Sequence, residues 1–248
     1  MSDFGLNVIF RNKLGKDKLK RFLELEQLEM VFQPDFEEVY QRDYHLKGRW
    51  AQEVFRNDHP LVLELGCGKG EYTVGLARIY PEKNFMGLDI KGARMWKGAT
   101  LAQSEAMKNV AFLRTRIDFI SSFFNRSEVD ELWITFPDPQ EKKRRRKKRL
   151  TGDIFLNRYR LFLKDGGFVN LKTDNSGLYT YTLELAKYNG LEIDWFTDDL
   201  YQSGRNDETV SIQTYYESRF RAEGKNIHFI RFRLPSGREI KALPHDAE

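Results

Sequence analysis

The sequence predicts an α/β fold: a doubly wound, mostly parallel sheet of seven strands, with a helical extension ahead of it. Three observations carry this. Short apolar runs alternate with helical patterns from residue 61 to residue 196. The first run stops at three alternating glycines, Gly66, Gly68 and Gly70. The last run, Ile227–Leu234, has period-two alternation and follows 191–196 without an evident helix between them, which suggests an antiparallel hairpin at one edge.

Taken in order, residues 1–58 form the extension and residues 59–248 the sheet domain. In the extension, Leu19, Phe22, Leu23, Leu25 and Leu28 fall near helical spacing within Lys16–Val31, Pro34 breaks that segment, and a second helical stretch covers Leu46–Phe55. Its cations Arg11, Lys13, Lys16, Lys18, Lys20 and Arg21 read as a solvated helix face. Strand 61–65 then leads to helix 70–79, closed by Pro81, and strand 84–89 to a helix over 93–108. Strand 110–113, a helical turn near 118–124 and strand 130–136 follow. A basic stretch precedes a helix over 151–163; Gly166 and Gly167 turn the chain into strand 168–173; helix 176–188 is capped by Gly190. Strand 191–196, a polar segment 197–210 and strand 227–234 complete the pattern.

Composition narrows the chemistry. The single cysteine, Cys67, excludes an internal disulfide and a multi-cysteine zinc site, and the four histidines form no close-spaced pair, so no metal is expected. Met1–Gly5 has no apolar signal core, and no stretch approaches the ~20 apolar residues that span a bilayer, so we expect a cytoplasmic protein away from membranes. The net charge of +4 says little; where the cations lie says more.

Strand, glycine turn and helix open a nucleotide-binding unit, because the backbone must turn sharply and lie close to a ligand. Asp89, nineteen residues past Gly70 at the end of the next strand, is placed for a ribose hydroxyl. The spacing is G-x-G-x-G, however, and Glu64 stands two positions before Gly66. A carboxylate there repels a pyrophosphate and welcomes a cation. S-adenosylmethionine, with a sulfonium, an ammonium, a ribose and no phosphate, fits that pair of acids, and the fold expected is that of the class I S-adenosylmethionine-dependent methyltransferases.

The fourth main strand ends in Phe136-Pro-Asp-Pro139, where two prolines hold Asp138 stiffly at the ligand-binding edge of the sheet. Eight consecutive cations, Lys142–Arg149, follow. Such a run beside a cofactor site suits a polyanion, gripped through its phosphates and not read through its bases.

Phe-Pro-Asp-Pro, the cation run and Leu150-Thr151, together with Leu171-Lys-Thr-Asp174 and Thr214-Tyr-Tyr-Glu217, resemble the bacterial tRNA (guanine-N7)-methyltransferase family over residues 60–234. The resemblance implies methyl transfer from S-adenosylmethionine to N7 of a guanosine in tRNA, at position 46 of the variable loop. It implies cofactor contacts from Glu64, Gly66, Gly68, Asp89 and Asp138, with Asp138 also the catalytic-site acid. It implies substrate contacts from Lys142, Asp174, Thr214 and Glu217. Two positions depart from the family pattern. Gln140 stands where the family has Trp after Pro-Asp-Pro, which removes a stacking ring. Arg116-Ile117 replaces Asp-Ala, so Asp118, two residues past Arg116, is taken as the adenine-side acid. The polar segment 197–225, with Gly204 and Gly224, reads as a lid over the guanosine. The competing reading is a methyltransferase of another RNA or of a small molecule; the cation run argues against a small neutral substrate.

Overall fold

The computed structural model of the chain describes residues 18–246. In chain order its elements are helix α1 (18–26), strand β1 (Val31–Phe32), helix α2 (Phe36–Val39), β2 (Leu61–Leu65), α3 (Glu71–Ile79), β3 (Asn84–Asp89), α4 (Gly92–Ser104), β4 (Val110–Arg114) and β5 (Val129–Thr135). After these come α5 (Asp153–Tyr159), β6 (Leu163–Thr173), α6 (Ser176–Tyr188), β7 (Ile193–Thr197), α7 (Glu208–Ser211), α8 (Tyr215–Ala222) and β8 (His228–Leu234).

The strands form one sheet in the order β1-β4-β3-β2-β5-β6-β8-β7. Every pairing is parallel except those of β8, which runs antiparallel between β6 and β7. Strand β2 is buried along its whole length, as a central strand covered on both faces must be. Its side chains divide by parity. Leu61, Leu63 and Leu65 enter the core that also holds Trp50, Leu156 and Leu185, whereas Val62 enters the core with Val74, Leu76 and Met95.

The sheet thus has eight strands among the described residues, not seven. The extra one is β1, from the extension: Val31 and Phe32 pair in parallel with Phe112 and Leu113 at the sheet edge. Residue 58 consequently separates no second core. Leu25 and Leu28 lie against the helices α3 and α4 side, and Trp50 is fully buried, its indole N–H donating to the Phe123 carbonyl at 2.7 Å. The stretch expected as a helix over 46–55 is a π-type helix, Trp50–Phe55, stopped by Arg56 in the left-handed region. Arg11, Lys13 and Lys16 lie outside the described residues; Lys18, Lys20 and Arg21 are exposed, with Arg21 over the Trp96 ring.

Other boundaries moved for local reasons. Helix α4 stops at Ser104, short of 108, because Ala106 takes a left-handed conformation and the Met107 N–H turns back to the Ala102 carbonyl. Helix α5 covers less than 151–163, since Gly152 is its N-cap and the chain re-enters the sheet at Leu163, ahead of Gly166 and Gly167. The return from β7 to β8 is not free of helices: α7 and α8 fill it. No helix among the described residues is long and apolar enough to cross a membrane.

If the extension is part of the core, Trp50→Ala should cost about 3–5 kcal/mol, the usual cost of truncating a buried aromatic. Chemical denaturation should then show one transition at lower denaturant. A separate early transition, with the main one unmoved, would mark an independent N-terminal unit.

Candidate active site

The carboxyl ends of β2, β3, β5 and β6 surround a cavity of about 490 Å³, the size of an ordinary small-ligand site. It lies where the chain order reverses, since β2 sits between β3 and β5. Glu64, Gly66, Gly68, Asp89, Asp138, Asp174 and Thr214 all line it.

The glycine loop is fastened from both sides. The N–H groups of Gly66 and Cys67 donate to the Leu88 carbonyl at 2.8 and 2.9 Å. Asp89 accepts from the Gly68 N–H at 2.9 Å through one oxygen and from the Lys91 N–H at 2.7 Å through the other. Gly66 has φ +81°, and a Cβ there would meet nothing within 4 Å, so its bare backbone faces the open cavity. Gly70 is needed for the opposite reason: at φ +69° its Cβ would lie 2.7 Å from the Phe112 ring and 3.2 Å from the Gly98 Cα. The loop therefore rests directly on the backbone of α4.

Glu64 is 3 % exposed. Its carboxylate accepts from the Thr73 N–H at 2.8 Å, the Thr73 hydroxyl, and the Thr135 hydroxyl at 2.6 Å. Burial pushes its pKa up to about 7 even though those three hydrogen bonds pull it down. Four acceptor positions serve three donors, which leaves capacity for a donor or cation in the cavity.

The Pro-Asp-Pro turn is held by its neighbours. Phe136 and Gln140, at φ +48° and +51°, both adopt the left-handed region that non-glycine residues avoid. The Phe136 N–H donates to the Lys172 carbonyl at 2.8 Å, and the Gln140 N–H to Asp138 Oδ1 at 3.1 Å. Asp138 itself is exposed to the cavity and, among the described residues, has no cationic partner within ion-pair distance. Asp174 does have one, Lys225 at 3.1 Å.

The cation run forms a 3₁₀ turn over Lys143–Lys148. Six of its eight residues are exposed; Arg146 and Arg149 are half-buried and pair with Asp246 at 3.2 and 4.0 Å, and Arg149 also lies over the Tyr181 ring. These two fasten the run to the C-terminal segment. Lys142 is exposed on the approach to the cavity and does not line it.

Besides Lys142, two expected site residues do not line the cavity. Asp118 is held by Arg116 at 3.2 Å and Arg158 at 3.5 Å, away from the cavity. Arg116 instead borders a smaller adjoining hollow with Ile90 and Phe119. Glu217 is fully buried: its carboxylate pairs with Lys172 at 2.7 Å, accepts from the Tyr201 hydroxyl at 2.8 Å and closes a capping box with Thr214. The segment 197–225 is correspondingly not a loose polar loop, because α7 and α8 pack onto the sheet.

Sequence reasoning missed the aromatic wall. Phe136, Tyr216 and Phe220 line the cavity in a row, with centroids 5.8 and 6.5 Å apart. They come from the residue that follows β5 and from α8, eighty or more positions further on, and no spacing rule joins them. Among the described residues no group of His, Cys, Asp and Glu is arranged to hold a metal.

A family model described as "Putative methyltransferase" matches residues 58–230. A Bacteroides thetaiotaomicron protein named tRNA (guanine-N(7)-)-methyltransferase is 50 % identical over 222 residues, covering 90 % of this chain and 87 % of that one. A Christiangramia forsetii protein of the same name is 51 % identical, covering 89 % and 99 %. Among solved structures, the 16S rRNA methyltransferase KamB superposes with a TM-score of 0.58 at 13 % identity, covering 74 % of this chain and 92 % of that one, which is a likeness of fold.

Gly98→Ala tests the seat of the loop. Its Cβ would lie 2.6 Å from the Lys69 carbonyl and 2.9 Å from the Gly70 Cα, with backbone on both sides. We expect about 1–3 kcal/mol of destabilisation, the usual cost of overpacking, and weaker ligand binding at the loop. Unchanged stability and binding would mean that the loop is not fixed by this contact.

Proposed function

The chain belongs to the bacterial tRNA (guanine-N7)-methyltransferase family, and on that premise we propose how its cavity methylates N7 of a guanosine in tRNA, which we place in the variable loop. The observation that carries the reading is the shared cavity. Glu64, Gly66, Asp89, Asp138 and Asp174 line one volume, and six exposed cations leave from the Pro-Asp-Pro rim.

The residues present fit S-adenosylmethionine. Glu64 keeps an unused acceptor position in a buried setting, Gly66 offers bare backbone to open space, and Asp89 stands at the end of β3. Those three, with Gly68, would hold the cofactor, which supplies an electrophilic methyl on a sulfonium. Guanine N7 has an in-plane lone pair and no proton, so the transfer needs no general base. The protein's work is alignment and electrostatics. Asp138, without an ion-pair partner among the described residues, faces the positive charge that develops on the ring. Asp174, whose charge Lys225 offsets, is the better partner for the guanine N1–H and amine. Phe136, Tyr216 and Phe220 give the base a surface on which to stack. The exposed members of Lys142–Lys148 grip phosphates and set affinity more than turnover.

Nucleoside mass spectrometry of tRNA treated with protein and cofactor should show 7-methylguanosine; its absence would refute the reading. Asp138→Ala should lower turnover by a factor on the order of 10²–10⁴ while tRNA affinity changes little. Neutralising the six exposed cations should do the reverse, with the slope of log affinity against log salt shallower by about 0.7–0.9 per lost phosphate contact.

Glu64 predicts a pH dependence. Its folded pKa of about 7 lies above the ordinary 4.5, so ionising it in the free protein costs stability as pH rises from 4.5 through 7. A bound cation favours the ionised form. Cofactor affinity should therefore climb with pH to about 7 and then level off, with proton release on binding below that point. Titration calorimetry in buffers of different ionisation enthalpy reads the proton count. In Glu64→Gln both the slope and the release should vanish; their survival would place the titrating group elsewhere.

A further inference from the structure

Lys172 is the one member of Leu171-Lys-Thr-Asp174 that is charged, fully buried and outside the cavity. Its ammonium reaches Glu217 Oε1 at 2.7 Å, the Thr209 carbonyl, and the Ile212 carbonyl at 3.2 Å. Three N–H donors thus meet three oxygens, all from the segment between β7 and β8, with the Tyr72 ring 5.2 Å away. Its backbone carbonyl meanwhile accepts from Phe136 N–H, the left-handed residue that starts the Pro-Asp-Pro turn. Glu217, the other half of the pair, caps α8 through Thr214, and Thr214, Tyr216 and Phe220 line the cavity.

We propose that the buried Lys172–Glu217 pair is a latch that sets the substrate-side wall of the active site, making Lys172 a positioning residue for methyl transfer. One residue joins both walls, by its carbonyl to the turn carrying Asp138 and by its ammonium to the helix carrying Tyr216 and Phe220. A buried ion pair is a poor source of net stability, since desolvation offsets most of the attraction. Two apolar side chains would fill the space at less cost, but would not fix the azimuth of α8. The pair does fix it, because all three directional bonds must be made together or a buried charge is left unpaired. Glu64 and Asp89 make their hydrogen bonds to other groups. Helix α8 meets the glycine loop only at its first residue, where the Tyr215 N–H donates to Glu71 at 2.9 Å and Lys69 lies over the Tyr215 ring. The latch should therefore act on the guanosine more than on the cofactor.

This inference rests on the functional reading above, and its test separates the two. Lys172→Met and the double variant Lys172→Met/Glu217→Gln are compared with the full wild-type chain. For Lys172→Met we expect kcat lower by about 30-fold or more, with the KM for tRNA and the Kd for S-adenosylhomocysteine each within about threefold. Amides of 209–217 should exchange about tenfold faster or more, while those of β2, β3 and β5 stay protected. The double variant, having no unpaired buried carboxylate, should recover kcat by about fivefold or more over the single one. A wild-type kcat in Lys172→Met overturns the latch. So does a joint fall in cofactor affinity, strand protection and kcat, which would make the pair a general structural element, and so does a double variant no better than the single. If wild-type protein leaves tRNA unmethylated, the functional reading fails, and the exchange data still decide whether the pair holds the wall.

Discussion

A buried carboxylate at the centre of the sheet sets the terms for the site. Glu64 sits in β2, the strand with the deepest burial, and would be an expense there if nothing received it. Thr73 at the start of α3 and Thr135 at the end of β5 receive it, so one side chain ties three elements together at the cavity floor. The register of β2 against β5, with Glu64 opposite Trp133, puts Thr135 within reach two residues further on. Burial, opposed by those hydrogen bonds, leaves the group with a pKa of about 7, so a cation in the cavity would tip it to the charged form.

Around that floor the site is assembled from conformations the chain would otherwise avoid. Phe136 and Gln140 occupy the left-handed region, where each non-glycine residue costs of order 1–3 kcal/mol. Such strain persists only where surrounding contacts over-determine it. The Lys172 carbonyl and the Asp138 carboxylate supply those contacts here. The result is an acid held at the rim by covalent stiffness from two prolines and, among the described residues, by no ion pair.

Much of this was legible in the sequence, for physical reasons. Strand 84–89 and helix 176–188 match their expected limits, because burial on both faces and a clear cap leave no alternative. Glu64, Asp89, Asp138 and Asp174 stand at strand ends, where fold class alone places ligands, and all four reach the cavity. What failed was tertiary. Val31-Phe32 is too short to signal a strand and forms one only because β4 offers a free edge. The resemblance implied a substrate contact from Glu217, but its spacing from Thr214 is the capping-box spacing, and at the cap its carboxylate turns inward to Lys172. Asp118 had an arginine two residues before it and another on α5, and went to them. Both acids find partners within the fold and are turned from the cavity, Glu217 buried and Asp118 still exposed, and sequence spacing does not reveal which charges will be paired in this way.

The same rule divides the cation run. Eight adjacent cations repel one another, and a chain gains by giving some of them a carboxylate. Asp246 takes Arg146 and Arg149, which are spaced one 3₁₀ turn apart and so fall on one face. That face docks the turn against the C-terminal segment and Tyr181; the remaining six cations are left pointing outward from a fixed base. A tethered cluster keeps its charge density in one place beside the rim, whereas a flexible run would spread it. On the function proposed above, the two paired arginines would anchor the cluster and not touch the polyanion, and a charge count along the sequence overstates the exposed cations by those two.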